Sequence, residues 1–160
     1  MSQTTNYILD ATVLVDYYAK DETTVELSNL RFWMDSIIGN PLVTIYINTV
    51  TLLEFSKFLY FGKTDVKNIK NIIRRMSNKY NIVVSDLTKF DLLVIIDNLS
   101  RIEKALDLHA GELSLLQFSN MINFIFVSSD INALKSFKKL QRINPRKSID
   151  VIKIGEEYIE

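Results

Sequence analysis

YILDATVLVDYYAK (residues 7–20) holds a short β-type run, YILD, that passes without a turn into a stretch of helix-like spacing. A strand that feeds a helix directly, with an aspartate at the junction, is the opening of a parallel α/β sheet rather than of a hairpin fold. The same alternation recurs along the chain. Residues 23–38 space Val25, Leu27, Leu30, Trp33, Met34, Ile37 and Ile38 as a helix, closed by Gly39-Asn40-Pro41. LVTIYI (42–47) is the next strand, and Asn48 or Thr49 caps a helix that runs to about Phe61 and stops at Gly62.

Thr64 or Asp65 caps a helix with Val66, Ile69, Ile73, Met76 and Tyr80 on one face, and IVVS (82–85) follows as a strand. Residues 87–106 read as one long helix with Leu92, Ile95, Leu99, Ile102 and Leu106 on its buried stripe. His109–Asn120 reads as another helix, FIFVSS (124–129) as a strand and 131–141 as a helix, before Pro145 and a last strand, SIDVIKI (148–154). Short apolar strands separated by helices predict a five-stranded parallel sheet covered on both faces, in one domain spanning 1–160.

Composition narrows the function classes. The 160 residues carry 19 basic and 19 acidic side chains, so no global field draws a polyanion and any such binding must come from local patches. The absence of cysteine excludes disulfides, thiolate catalysis and thiolate metal sites, and fits a reducing, cytoplasmic setting. MSQTTNYILD lacks the basic region and cleavage pattern of a signal peptide. The 18-residue charge-free stretch from Ser36 to Leu53 approaches membrane-spanning length, but Gly39, Asn40, Pro41 and Asn48 divide it into helix end, turn and strand, so no span is expected.

Four carboxylates carry the candidate chemistry. Asp10 and Asp130 each close a strand and open a helix, and in parallel sheets ligands bind outside the carboxyl ends of the strands. Either could be a helix cap and nothing more. Glu54 has Val50 and Phe58 four residues away and Phe61 seven away, which places a carboxylate on an apolar stripe that demands a partner or a cation. Glu112 lies one turn from Leu108, Leu115 and Leu116, directly after Gly111, and its bland reading is a first-turn acid that complements the helix dipole. Gathered together, such carboxylates need cations, and hard oxygen ligands select Mg²⁺ or Mn²⁺.

At these residues the chain resembles the PIN-domain nucleases, including the VapC-type toxins. The resemblance rests on YILDATVLVDYY, NTVTLLEFSKF, LHAGELSLLQFS and FVSSDINALKSF, in that order over nearly the whole chain. It puts the family's acids on Asp10, Glu54, Glu112 and Asp130, with Asp107 a competitor for the third, and it puts a hydroxyl at Thr12. It implies a three-layer α/β/α fold and a Mg²⁺- or Mn²⁺-dependent endoribonuclease acting on single-stranded RNA, with Thr12, Ser129 and Asn132 orienting the ligands. Apolar residues on the early helices, if exposed, would suit a homodimer or an antitoxin protein as partner. The alternative is a catalytically degenerate PIN-like module that binds RNA or protein, since Glu112 and Asn132 depart from the commoner family residues. A phospho-receiver domain fits poorly, because the first strand offers only Asp10 and the third ends Val84-Ser85-Asp86.

Two basic groups are candidate phosphate contacts. Lys63, Lys67, Lys70, Arg74, Arg75 and Lys79 line the polar face of the 64–79 helix. Lys135, Lys138, Lys139 and Arg142 follow Asp130 and have the better claim, because they start one helical turn from an expected ligand. The bland reading of both is a solvated face.

Overall fold

The computed structural model describes residues 4–18, 24–101, 108–118, 124–130, 133, 135 and 149–153. β1 (Thr5–Leu9) leads through Asp10 into α1 (Ala11–Tyr18), and α2 (Val25–Ile37) precedes β2 (Val43–Asn48). α3 (Thr49–Phe61) and α4 (Val66–Ser77) carry the chain to β3 (Ile82–Ser85), followed by α5 (Lys89–Asn98). The short α6 (Ala110–Ser114), β4 (Phe124–Ser128) and β5 (Ile149–Lys153) complete the described elements.

All strand pairings are parallel, in the order β3-β2-β1-β4-β5. The period of two along each strand separates two cores. Leu9, Ile45, Ile47 and Val127 point to the side covered by α1–α4, where they meet Val13, Leu30, Met34, Phe55, Leu59 and Met76. Ile8, Phe124 and Phe126 point to the other side, against Ile95 of α5 and Leu115, Leu116 and Phe118 after α6. The architecture is therefore a parallel sheet flanked by helices on both faces.

Local chemistry sets the element ends. Thr24, Asn48 and Asp65 each accept a hydrogen bond from a first-turn N–H of the helix they precede, at 3.2, 2.8 and 2.9 Å. Thr88 and Asp91 bond reciprocally to close the start of α5. α2 ends at Gly39, whose φ of 82° needs a residue without a Cβ. Buried Asn81 then binds the turn, its amide donating to the carbonyls of Ile37 (2.8 Å), Asn40 and Val43 and its oxygen accepting from Gly39 N–H (2.8 Å).

Several expectations are corrected. The helix expected over 87–106 ends at Asn98 and tightens into a 3₁₀ turn over Leu99–Arg101. Of its proposed stripe only Ile95 is buried, Leu92 and Leu99 are exposed, and Ile102 and Leu106 lie outside the described residues. α5 is apolar nearly all round, so periodicity alone could not orient it; the contact of Gln117 with Asp91 turns the Asp91–Ile95 side inward. The helix expected over His109–Asn120 is only five residues long before a 3₁₀ segment, Leu115–Phe118. On α4 the inward residues are Ile69 and Met76, while Val66 and Tyr80 are exposed. No helix of the described residues is long and apolar enough to cross a membrane.

Candidate functional site

β1 and β4 are adjacent in the sheet, and the strand order reverses between them: β2 lies beyond β1 on one side and β5 beyond β4 on the other. That is the topological switch point, where a crevice opens beyond the strand ends. Asp10 follows β1 and Asp130 follows β4, so both lie at this crevice.

Asp10 is 1 % exposed. Its Oδ2 accepts from Ser128 Oγ at 2.6 Å and from Thr12 Oγ1 at 3.2 Å, while its N–H donates to Val127 O. Burial raises its pKa, the bonds from Ser128, the Ala11 N–H and Thr12 oppose the rise, and the charge of Asp130 adds to it. Ser128 Oγ also accepts from Asp130 N–H at 2.9 Å. Ser129 donates its N–H to Thr12 Oγ1 (3.1 Å) and its hydroxyl to Asp16 (2.9 Å). Thr12 and Asp16 lie one helical turn apart on α1, so these bonds clasp the end of β4 to the first half of that helix.

Glu112 enters from α6 and is 2 % exposed. Its Oε2 accepts the His109 N–H at 3.1 Å. Its pKa is pushed up to about 8, first by burial, then by a hydrogen bond shared with Asp130 and by the charge of Asp10. A neighbouring carboxyl favours the protonated form of Glu112, in the same direction as its burial.

Glu54 comes from α3, and the reason for its importance is corrected. The stripe on which it was placed is not buried: Phe58 and Phe61 are 51 % and 70 % exposed, and the inward residues of α3 are Thr51, Leu52, Phe55 and Leu59. What marks Glu54 is Gly111. A Cβ built there would overlap Glu54 Oε2 and lie 3.0 Å from its Cδ, so only glycine admits the carboxylate where it sits. That Oε2 is buried without a hydrogen-bond partner. Burial and the charge of Asp10 raise the Glu54 pKa, and His109 and Lys57 partly offset the rise.

The two glutamate helices are tied by an element that sequence reading only half identified. Asn48 caps α3 through its oxygen, and its amide donates to Ser114 Oγ at 2.9 Å. Ser114 in turn donates to Gly111 O at 2.5 Å. Ser128, Asp16 and Ser114 were not among the expected site residues. The only signal for Ser128 was a polar residue in phase with inward Phe124 and Phe126.

Glu54, Glu112 and Asp130 line a cleft of about 680 Å³ with Thr12, Lys57 and His109, and buried Asp10 is linked electrostatically to all three acids. As the side chains lie, no group of three or more His, Asp or Glu among the described residues could hold a metal ion. The donor set itself suits a hard divalent cation: carboxylate oxygens only, with Glu54 Oε2 buried without a hydrogen-bond partner. Among the expected orienting and basic residues, Ser129 and Lys135 are exposed. Asn132, Lys138, Lys139, Arg142 and Asp107 lie outside the described residues.

The structure is similar to a chain of the crystal structure of VapBC2 from Rickettsia felis bound to a DNA fragment from their promoter. The TM-score is 0.56 at 14 % identity, covering 91 % of this chain and 98 % of that one. At that identity the likeness shows a shared fold. No protein-family model and no curated protein matches the sequence.

Proposed function

We propose that this chain is a PIN-type endoribonuclease that uses Mg²⁺ or Mn²⁺ to cut single-stranded RNA, as the toxin of a toxin–antitoxin pair. The observation that carries the reading is the gathering of Asp10, Glu54, Glu112 and Asp130 at one switch-point crevice, where burial first and neighbouring acids second raise the pKa of Asp10, Glu54 and Glu112. Such buried acids cost folding free energy, and they cluster where a cation or a proton transfer uses them. The fold shared with the VapBC2 chain supports the toxin assignment.

On this reading Asp10, Glu54, Glu112 and Asp130 would hold one or two ions. A bound ion would supply an activated water and offset charge on the phosphodiester. Ser128 and Thr12 fix the Asp10 oxygen, and Ser129, held by Asp16, fixes Thr12. Asn132 completes the orienting set. Lys57 stands in the cleft as a cation for the incoming phosphate; Lys135, Lys138, Lys139 and Arg142 are the further phosphate contacts of this reading. An antitoxin segment and a second copy of the chain are the protein partners.

Asp10→Asn tests the reading: it removes one charge and keeps the shape, so Mn²⁺-dependent cleavage of RNA should vanish while the circular dichroism spectrum is retained. Wild-type cleavage by that variant means the site is elsewhere. The second reading, a degenerate PIN-like binding module, is motivated by the side chains' arrangement, in which no three His, Asp or Glu among the described residues stand ready to hold a metal ion. Calorimetric titration with Mn²⁺ separates the two, since the module binds none.

A further inference from the structure

Between Asp65 and Asp86 the sequence contains no acidic residue and five basic ones, Lys67, Lys70, Arg74, Arg75 and Lys79, and Lys63 stands just before. The whole chain is neutral, so this is a local concentration of positive charge. The structure converts it into a row. Lys67, Lys70 and Arg74 follow the i, i+3, i+7 spacing of one helix face, opposite the buried Ile69 and Met76. All three are exposed, and Asn71 and Asn78 lie in the same arc. The row rises about 10 Å over two turns.

α4 also stands in a useful place. It begins just beyond the end of α3, whose Glu54 and Lys57 wall the carboxylate cleft. Lys63, in a left-handed conformation at the α3–α4 turn, stands between Lys57 and the α4 row along the chain. Past the other end of the row, Tyr80 has a ring 70 % exposed, while its hydroxyl donates to the Gly39 carbonyl and so holds the ring. A row of cations with a fixed, exposed aromatic ring is the combination that takes an unpaired polynucleotide, which offers phosphates and base faces together. A site built from four carboxylates repels the same polyanion, so affinity must come from a separate surface.

We infer that the Lys67–Lys70–Arg74 face of α4 is a binding surface for the phosphodiester backbone of single-stranded RNA, outside the carboxylate cleft. This deepens the nuclease reading and rests on it for the choice of RNA. The surface sets affinity and leaves the chemical step to the cleft.

The test uses the full chain carrying Asp10→Asn in metal-free buffer, so that binding is read without cleavage. Fluorescence anisotropy with a labelled oligouridine 20-mer is followed from 50 to 300 mM KCl. Adding Lys67→Gln, Lys70→Gln and Arg74→Gln should reduce the slope of log K against log salt by about 2, at roughly 0.7 per lost phosphate contact. At 0.1 M salt that corresponds to binding on the order of 100-fold weaker. Lys89→Gln, an exposed cation on another helix, should leave the slope unchanged. Equal melting temperatures for the triple variant and its parent exclude misfolding.

An unchanged slope in the triple variant overturns the inference even if the chain cuts RNA. A lost slope upholds it even if no RNA is ever cut. If the parent does not bind the oligonucleotide, or the triple variant loses only binding to phosphatidylserine vesicles, the surface is not an RNA site.

Discussion

Gly111→Ala separates the stability of this protein from its proposed chemistry. The added Cβ would overlap Glu54 Oε2, and every other atom within 3.7 Å of it belongs to that same side chain. Gly111 has no positive φ, so alanine fits the backbone and should gain roughly 0.5–1 kcal/mol from reduced unfolded-state freedom and better helix propensity. Glu54 is long and only partly buried, so it can swing toward water, at a rotamer cost of about 0.5–1.5 kcal/mol. The move also relieves its burial beside Asp10. These terms nearly cancel, and the melting temperature should hold or rise slightly. The carboxylate, however, leaves its place, and a displacement near 1 Å at a catalytic group costs about 100-fold.

The assays are thermal unfolding, Mn²⁺ titration and RNA cleavage on Gly111→Ala, Glu54→Ala and the double variant. Cleavage by Gly111→Ala should fall about 100-fold without loss of stability, and in the Glu54→Ala background it should fall no further. Wild-type cleavage and Mn²⁺ affinity in Gly111→Ala would refute the reasoning. So would a loss of several kcal/mol of stability, because Gly111 would then serve packing instead.

Two further expectations follow from the same geometry. The metal-free protein should lose stability as pH rises from about 4.5 to 8, because folded Glu112 keeps a proton that the unfolded chain releases over that window. At about 1.4 kcal/mol per pH unit the loss has an upper limit near 5 kcal/mol, and Mn²⁺ should raise the melting temperature more at pH 8 than at pH 5. A metal-free melting temperature that stays flat across this window contradicts the Glu112–Asp130 pair. Asn81→Ala should cost about 1–3 kcal/mol in urea unfolding, since Gly39 N–H and three carbonyls each lose a hydrogen bond at a part-buried turn. Mn²⁺ affinity should be unchanged, and a loss under 1 kcal/mol would mean that water replaces the amide.

What could be read in advance follows from the range of the forces involved. β1 into Asp10 and α1, the strands of residues 43–48 and 82–85 and the caps at Asn48 and Asp65 are local patterns, set by neighbours within a few residues. The facing of α5 was not local: apolar residues all round left the choice to Asp91 and to Gln117, 26 positions away. Glu54 was singled out correctly as a residue needing an explanation, but the expected cause, a buried stripe, was wrong, because Phe58 and Phe61 face outward. Its actual environment is Gly111, 57 positions along the chain. Asn48 was legible as a cap, whereas its amide bond to Ser114 spans 66 positions and had no sequence signature.

The clasp between Asp10 and Ser128 has a consequence for synthesis. Its partners are 118 positions apart, and Asp10 N–H also waits for Val127 O. Until β4 has left the ribosome, Asp10 has neither the hydroxyl nor the carbonyl that fixes it, and Asp130 does not yet exist beside it. A nascent chain therefore carries Asp10 and Glu54 without a formed site, and the cell meets an assembled crevice only once the chain has been made through Asp130.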